Sequence, residues 1–153
     1  MSFDQPSLKG RALRLLSGRE HSRAELERKL ASFEEEPGTL AQTLDELQAK
    51  GFINEQRVIE SVVHRRADKL GLVRIKQELQ SKGLDSVAVA EALEGLRATE
   101  CGRALAVWRK KFSAPPEDAQ AAAKQMRFLA SRGFGTDVIR RVVTGADRLT
   151  EED

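Results

Sequence analysis

The chain has 153 residues, 40% of them hydrophobic and 33% charged, with six Phe, one Trp and no Tyr. It is about the length of one domain, and too poor in aromatic residues to build one large closed aromatic core. The net charge of +2 hides an uneven spread: residues 20–60 hold five cations against ten carboxylates, 61–82 six against two, and 97–141 ten against four. An acidic front half and a basic back half suit different partner surfaces.

Cys101 is the only cysteine, so an internal disulfide is excluded and a reducing compartment fits. It reads as a small helix residue, since neither His21 nor His64 lies near it in sequence to serve as a base. No apolar run reaches the roughly 18 residues that would span a bilayer, and no signal-peptide pattern opens the chain, so the expected location is the cytoplasm.

In chain order the signals are helical. Ser22-Arg23-Ala24-Glu25 reads as a capping box, with Leu26 and Leu30 one turn apart behind it. Thr39-Leu40-Ala41-Gln42 reads as a second box after Pro37-Gly38, and Leu40, Leu44 and Leu47 continue at helical spacing. Asn54 is suited to cap the next helix, which carries Val58, Ile59, Val62 and Val63 and is expected to end at Gly71. Ile75 and Leu79 mark a shorter helix, and Ser86 is expected to open one over 87–97. Leu105, Trp108 and Phe112 share the face of a helix over about 99–112, and the Ser113–Asp118 stretch breaks it. A helix then runs to Arg132, and Thr136 is expected to cap the last one, with the tail from about 146 fraying. Nothing alternates with period two, so no sheet is expected.

One phrase occurs three times: LQAKGF at 47–52, LQSKGL at 79–84 and LASRGF at 129–134. Gly51, Gly83 and Gly133 each fall where a helix ends and the chain turns through left-handed backbone, which glycine adopts at little cost. The preceding cation suits the carboxyl end of the helix dipole, and the following apolar residue folds back on the helix. The segments SRAELERKL (22–30) and VRIKQEL (73–79) also resemble each other. Together these features predict an all-α chain of about nine helices in three tandem units, roughly 8–50, 54–97 and 99–145, forming an elongated curved array. Leu26, Leu47, Phe52, Leu79, Trp108, Phe112, Phe128 and Phe134 are expected to hold the units together.

Signatures of catalysis are missing. There is no GxxxxGK[ST], no GxGxxG after a strand, no HExxH and no CxxC. Glu34-Glu35-Glu36 reads as a solvated loop rather than a metal site, and His21 and His64 as surface or boundary residues. A non-enzyme with no metal or cofactor is the expectation. The cation clusters carry more information: His64-Arg65-Arg66 with Lys69, Arg74 with Lys76, then Trp108-Arg109-Lys110-Lys111-Phe112, and beyond them Arg127, Arg132, Arg140 and Arg141. Such clusters bind polyanions by releasing counterions, with affinity that falls steeply with salt.

REHSRAELERKL (19–30), LQAKGFINEQRV (47–58), LGLVRIKQELQSKG (70–83), WRKKF (108–112) and KQMRFLASRGFGTDVIRRVV (124–143) stand in an order that resembles the RecX family of bacterial recombination regulators. The resemblance covers nearly the whole chain. Gly71-Leu72-Val73-Arg74 departs from it, since many relatives place a second Gly and a further basic residue there. The resemblance implies a protein, expected to be monomeric, that lodges in the groove of the RecA filament on single-stranded DNA. There it would suppress ATP hydrolysis and strand exchange without catalysis of its own, with weak direct DNA binding allowed. Its contact residues would then be Arg65, Arg66, Lys69, Arg74 and Lys76 on one basic face, and Arg109, Lys110, Lys111, Arg127, Arg132, Arg140 and Arg141 on a second. The rival expectations are an independent helix–turn–helix reader of duplex DNA and a plain helical adaptor. The helix over 87–96 is nearly devoid of base-reading side chains, which counts against the reader.

Overall fold

The structure is a computed structural model that describes residues 5–145. Among the described residues there are nine α-helices and no strand. They are α1 (Leu8–Gly18), α2 (Arg23–Leu30), α3 (Thr39–Ala49), α4 (Glu55–Arg66), α5 (Leu72–Ser81), α6 (Ser86–Arg97), α7 (Glu100–Lys111), α8 (Ala119–Ser131) and α9 (Thr136–Thr144), with a 3₁₀ turn over Ala31–Phe33. The expected all-α class therefore holds, and the stretch from 146 onward lies outside the described residues.

Local polar chemistry starts most of these helices. Ser22 forms a full capping box with Glu25, and Ser7, Asn54, Asp85 and Asp118 accept from the amides of Gly10, Arg57, Ala88 and Ala121. Four expectations are corrected. Thr39 is the first residue of α3 and its hydroxyl donates to the Glu36 carbonyl; the Leu40 amide is capped instead by Glu34 Oε2 at 2.8 Å. Ser86 lies inside α6, because the Asp85 carboxylate one residue earlier takes the free amide. Thr136 likewise opens α9 behind Gly135, which offers no side-chain cap. Gly71 does not end α4, which stops at Arg66; it precedes α5 in extended backbone.

Three separate cores define three units. Leu26, Leu44 and Leu47 anchor α1–α3; Val58, Ile59, Val62, Ile75 and Leu79 anchor α4–α6; Leu105, Trp108, Leu129 and Val142 anchor α7–α9. The apolar residues expected to tie units together thus pack inside them, and Phe52 is 46% exposed.

The units are joined by polar contacts. Ser22 is 2% exposed and uses its hydroxyl twice, accepting from the Glu25 amide and donating to the Lys82 carbonyl at 2.5 Å. Glu25 receives Arg19 on one oxygen at 2.6 Å and Lys82 on the other at 3.2 Å. Arg28 donates to the Ser81 carbonyl, and Arg57 pairs with Glu20 across the same joint. The joint between units 2 and 3 follows the same plan. Gly71 and Val73, at the start of α5, donate to the carbonyls of Arg132 and Gly133 at 2.8 and 3.0 Å, and Arg74 donates to Ser131. In both joints the first turn of a unit's second helix docks on the turn that ends the second helix of the next unit.

This explains the uneven spacing of the repeated phrase. Gly83 and Gly133 end equivalent helices, α5 and α8, whereas Gly51 ends α3, the third helix of its unit. All three glycines have positive φ. Only the second and third copies are sockets: a Cβ on Gly83 would lie 2.7 Å from that of Ala24, and one on Gly133 would overlap Arg74.

Candidate polyanion cleft

The joint between units 2 and 3 also shapes a cleft of about 810 Å³. Its first wall is the end of α4 and the turn after it, with Arg66 and Lys69. Arg66 is held by Glu78 at 3.2 Å. The turn is fixed from behind by Arg103 of α7, whose guanidinium donates to the carbonyls of Ala67 and Leu70 at 2.7 and 2.8 Å. Those are chain-end acceptors of α4 and its turn, groups that a helix leaves unpaired.

The opposite wall comes from unit 3. Lys110 and Lys111 stand in the last turn of α7, where cations complement the helix dipole. Phe128 of α8 lies between them and Arg132. The Lys111 ammonium is 5.7 Å and the Arg132 guanidinium 5.0 Å from the Phe128 ring centroid, within cation–π range. Phe112 meets Phe128 edge to face at 5.4 Å and fixes the ring. Arg74, tied to Ser131, closes the floor.

Arg66, Lys69, Arg74, Lys110, Lys111 and Arg132 therefore converge on one cleft, against the carboxylates Asp68 and Glu78. Residues expected on two separate basic faces, one per unit, meet across a joint. Arg65, Lys76, Arg109, Arg127, Arg140 and Arg141 are exposed but lie outside its lining. Six cations beside an aromatic ring, with Arg66 and Arg74 oriented by Glu78 and the Ser131 carbonyl, can hold several phosphate or carboxylate groups at once.

Arg103 and Glu100, which no motif in the sequence singles out, build the cleft without lining it. Glu100 is 6% exposed, and one of its oxygens accepts from both the Leu72 amide at 3.4 Å and the Gly135 amide at 3.3 Å. It caps α5 and α9 together, two of the three helices that start behind a glycine with no side chain to do so, the third being α3 behind Gly38. The available signal was that both helix starts follow a glycine, Gly71 and Gly135, and so need a cap from elsewhere.

The fold defines a class: a tandem three-helix protein with a cation-lined cleft at the joint of its second and third units. Residues 9–47, 54–93 and 99–143 match the family models described as RecX, first, second and third three-helix domain. The regulatory protein RecX of Leptothrix cholodnii is 53% identical over 149 residues, covering 97% of this chain and 95% of that protein. That of Ralstonia nicotianae is 46% identical over 146 residues, covering 95% and 92%. The crystal structure of RecX from Lactobacillus salivarius superposes with a TM-score of 0.77 at 23% identity, over 92% of this chain and 95% of that one. The chain belongs to the RecX family. Among the described residues, no helix is long and apolar enough to cross a membrane.

Proposed function

We propose that this chain binds the RecA recombinase and its nucleoprotein filament on single-stranded DNA, and that it lowers ATP hydrolysis and strand exchange without catalysis of its own. On this reading it moderates recombinational DNA repair in the cytoplasm, acting as a monomer. Family membership supports the partner, and the convergence of six cations on the joint of units 2 and 3 carries the mode of binding. A filament offers repeated acidic groups and DNA phosphates along a groove, and a tandem array offers successive surfaces to match it. A protein that prefers the assembled filament to its free parts shifts the assembly equilibrium by that difference in affinity.

The test is ATP hydrolysis by preformed RecA filaments titrated with this protein. Loss of activity is expected, at a stoichiometry of one to several recombinase subunits per molecule if the groove is coated. Loss at far lower ratios would indicate action at filament ends. Unchanged turnover across salt concentrations would overturn the proposal.

A further inference from the structure

A second cation-lined pocket, of about 380 Å³, lies in unit 1, on the acidic half of the chain. Helix α1 contributes Arg11 and Arg14, three residues apart and so on one face, and carries no carboxylate of its own. Lys29 near the end of α2 and Phe33 in the 3₁₀ turn form the other wall. Phe33 belongs to none of the three cores and is 44% exposed. The Arg11 guanidinium lies 3.8 Å from its ring centroid, a stacking distance, so cation and ring form one platform.

Among the described residues the cations here form no ion pair, although Glu35 and Glu36 line the adjoining cavity that shares Arg11 and Phe33. Neighbouring cations of unit 1 are matched to acids: Lys9 to Glu46, Arg19 to Glu25, and Arg23 to Asp45 and Glu27. Arg11, Arg14 and Lys29 have no carboxylate partner among the described residues, although residues 20–60 hold twice as many carboxylates as cations. Lys29 is tied to a neutral group instead. The buried His21 ring bonds the Arg19 carbonyl through Nδ1 at 3.0 Å, which makes Nδ1 the donor and leaves Nε2 to accept from Lys29 at 3.2 Å. That contact positions the ammonium and leaves its charge intact.

We propose that this pocket binds one nucleotide unit of single-stranded nucleic acid, with the base stacked against the Phe33–Arg11 platform and the flanking phosphates held by Arg14 and Lys29. An acidic peptide would satisfy the cations and leave the exposed ring unused, and a duplex keeps its bases stacked out of reach. A pocket of this volume is at the small end of ligand sites and takes one nucleotide, not a helical segment. Stacking on an aromatic face is available to every base, so binding is insensitive to sequence. The site acts independently of any recombinase, and its test contains none.

Phe33→Trp places a reporter in the pocket, while Trp108 stays buried in unit 3 with its indole bonded to Gln125 as a constant background. Titration with an oligothymidylate of about twelve residues at low salt is expected to quench the fluorescence of the introduced indole saturably. By anisotropy of the labelled oligomer, Phe33→Ala is expected to weaken binding about fivefold or more, as the loss of one stacked base implies. The same variant should leave binding of an abasic oligomer unchanged. Arg14→Gln with Lys29→Gln should lower the slope of log affinity against log salt by about 1.4, two phosphates' worth for a single strand. Anisotropy that rises without quenching of the reporter in Phe33→Trp would place the strand elsewhere and overturn the proposal. Equal effects of Phe33→Ala on the thymidylate and abasic oligomers would do the same, as would quenching by poly-glutamate or by anionic phospholipid vesicles that matches the oligomer's.

Discussion

The amide of Gly71 donates to the carbonyl of Arg132 at 2.8 Å, so the start of α5 in unit 2 closes directly on the end of α8 in unit 3. Amide donors at the start of one helix meet carbonyl acceptors at the end of another, groups that helix ends leave unpaired. Main chain makes most of this joint, and beside it Arg74, bonded to the Ser131 carbonyl, and Arg132, stacked on Phe128, line the cleft. The approach needs glycine on both sides: a Cβ at 71 would overlap the Gly133 carbonyl.

Gly71→Ala is therefore expected to lower stability by about 2–3 kcal/mol in urea unfolding, through a steric clash with backbone that cannot move aside. Gly95→Ala is the control, since its Cβ meets nothing within 4 Å inside α6. Relieving a helical glycine there should stabilise by about 0.5–1 kcal/mol. Equal effects at the two positions would remove the joint from the account.

The joint between units 1 and 2 has an acid limit. Burial pushes the Glu25 carboxyl up, but hydrogen bonds from Arg19, the Ser22 amide and Lys82 outweigh it and hold the pKa to about 2. The ordinary value is 4.5, so its contribution is complete above that pH and is lost as pH falls from 4.5 toward 2. Glu25→Gln should cost about 2–3 kcal/mol at neutral pH, since it leaves the buried Lys82 without its counter-charge. The variant's acid unfolding curve should also be shallower over that window.

His21 sets a second pH response. Burial, helped by the charges of Arg19 and Lys29, lowers its pKa below 6.5, against the opposing pull of the Arg19 carbonyl. A base that binds its proton more weakly when folded gives full stability above about pH 6.5, and stability declines as pH falls through the folded value. Titration of the His21 ring proton by NMR should show a midpoint below 6.5. His21→Gln, which can still accept from Lys29 but does not titrate, should flatten stability across that range.

Helix identity was legible because apolar spacing and caps are properties of neighbours in sequence. Gly51, Gly83 and Gly133 were legible as turns for the same reason. The second use of Gly83 and Gly133 as sockets was not, since it depends on Ala24 and Arg74 arriving from another unit. Glu34 read as a solvated acid and turned out to cap α3, because the chain curls back at Pro37-Gly38 to bring it near Leu40. His21 read as a surface or boundary residue, yet it is buried under α2. The cation clusters were visible as charge, but which half of each cluster enters the cleft is decided by the joint. Arg109 and Lys110 are adjacent in sequence and only Lys110 lines it.

Co-sedimentation with preformed RecA filaments distinguishes binding through the cleft between units 2 and 3 from binding through charge spread over the whole surface. Lys69→Glu with Lys110→Glu, inside the cleft, should weaken binding at least tenfold and reduce its salt dependence. Lys76→Glu with Arg140→Glu carries the same change in net charge outside the cleft and should weaken binding much less. Equal losses from the two pairs would show that overall charge, and not this cleft, holds the partner.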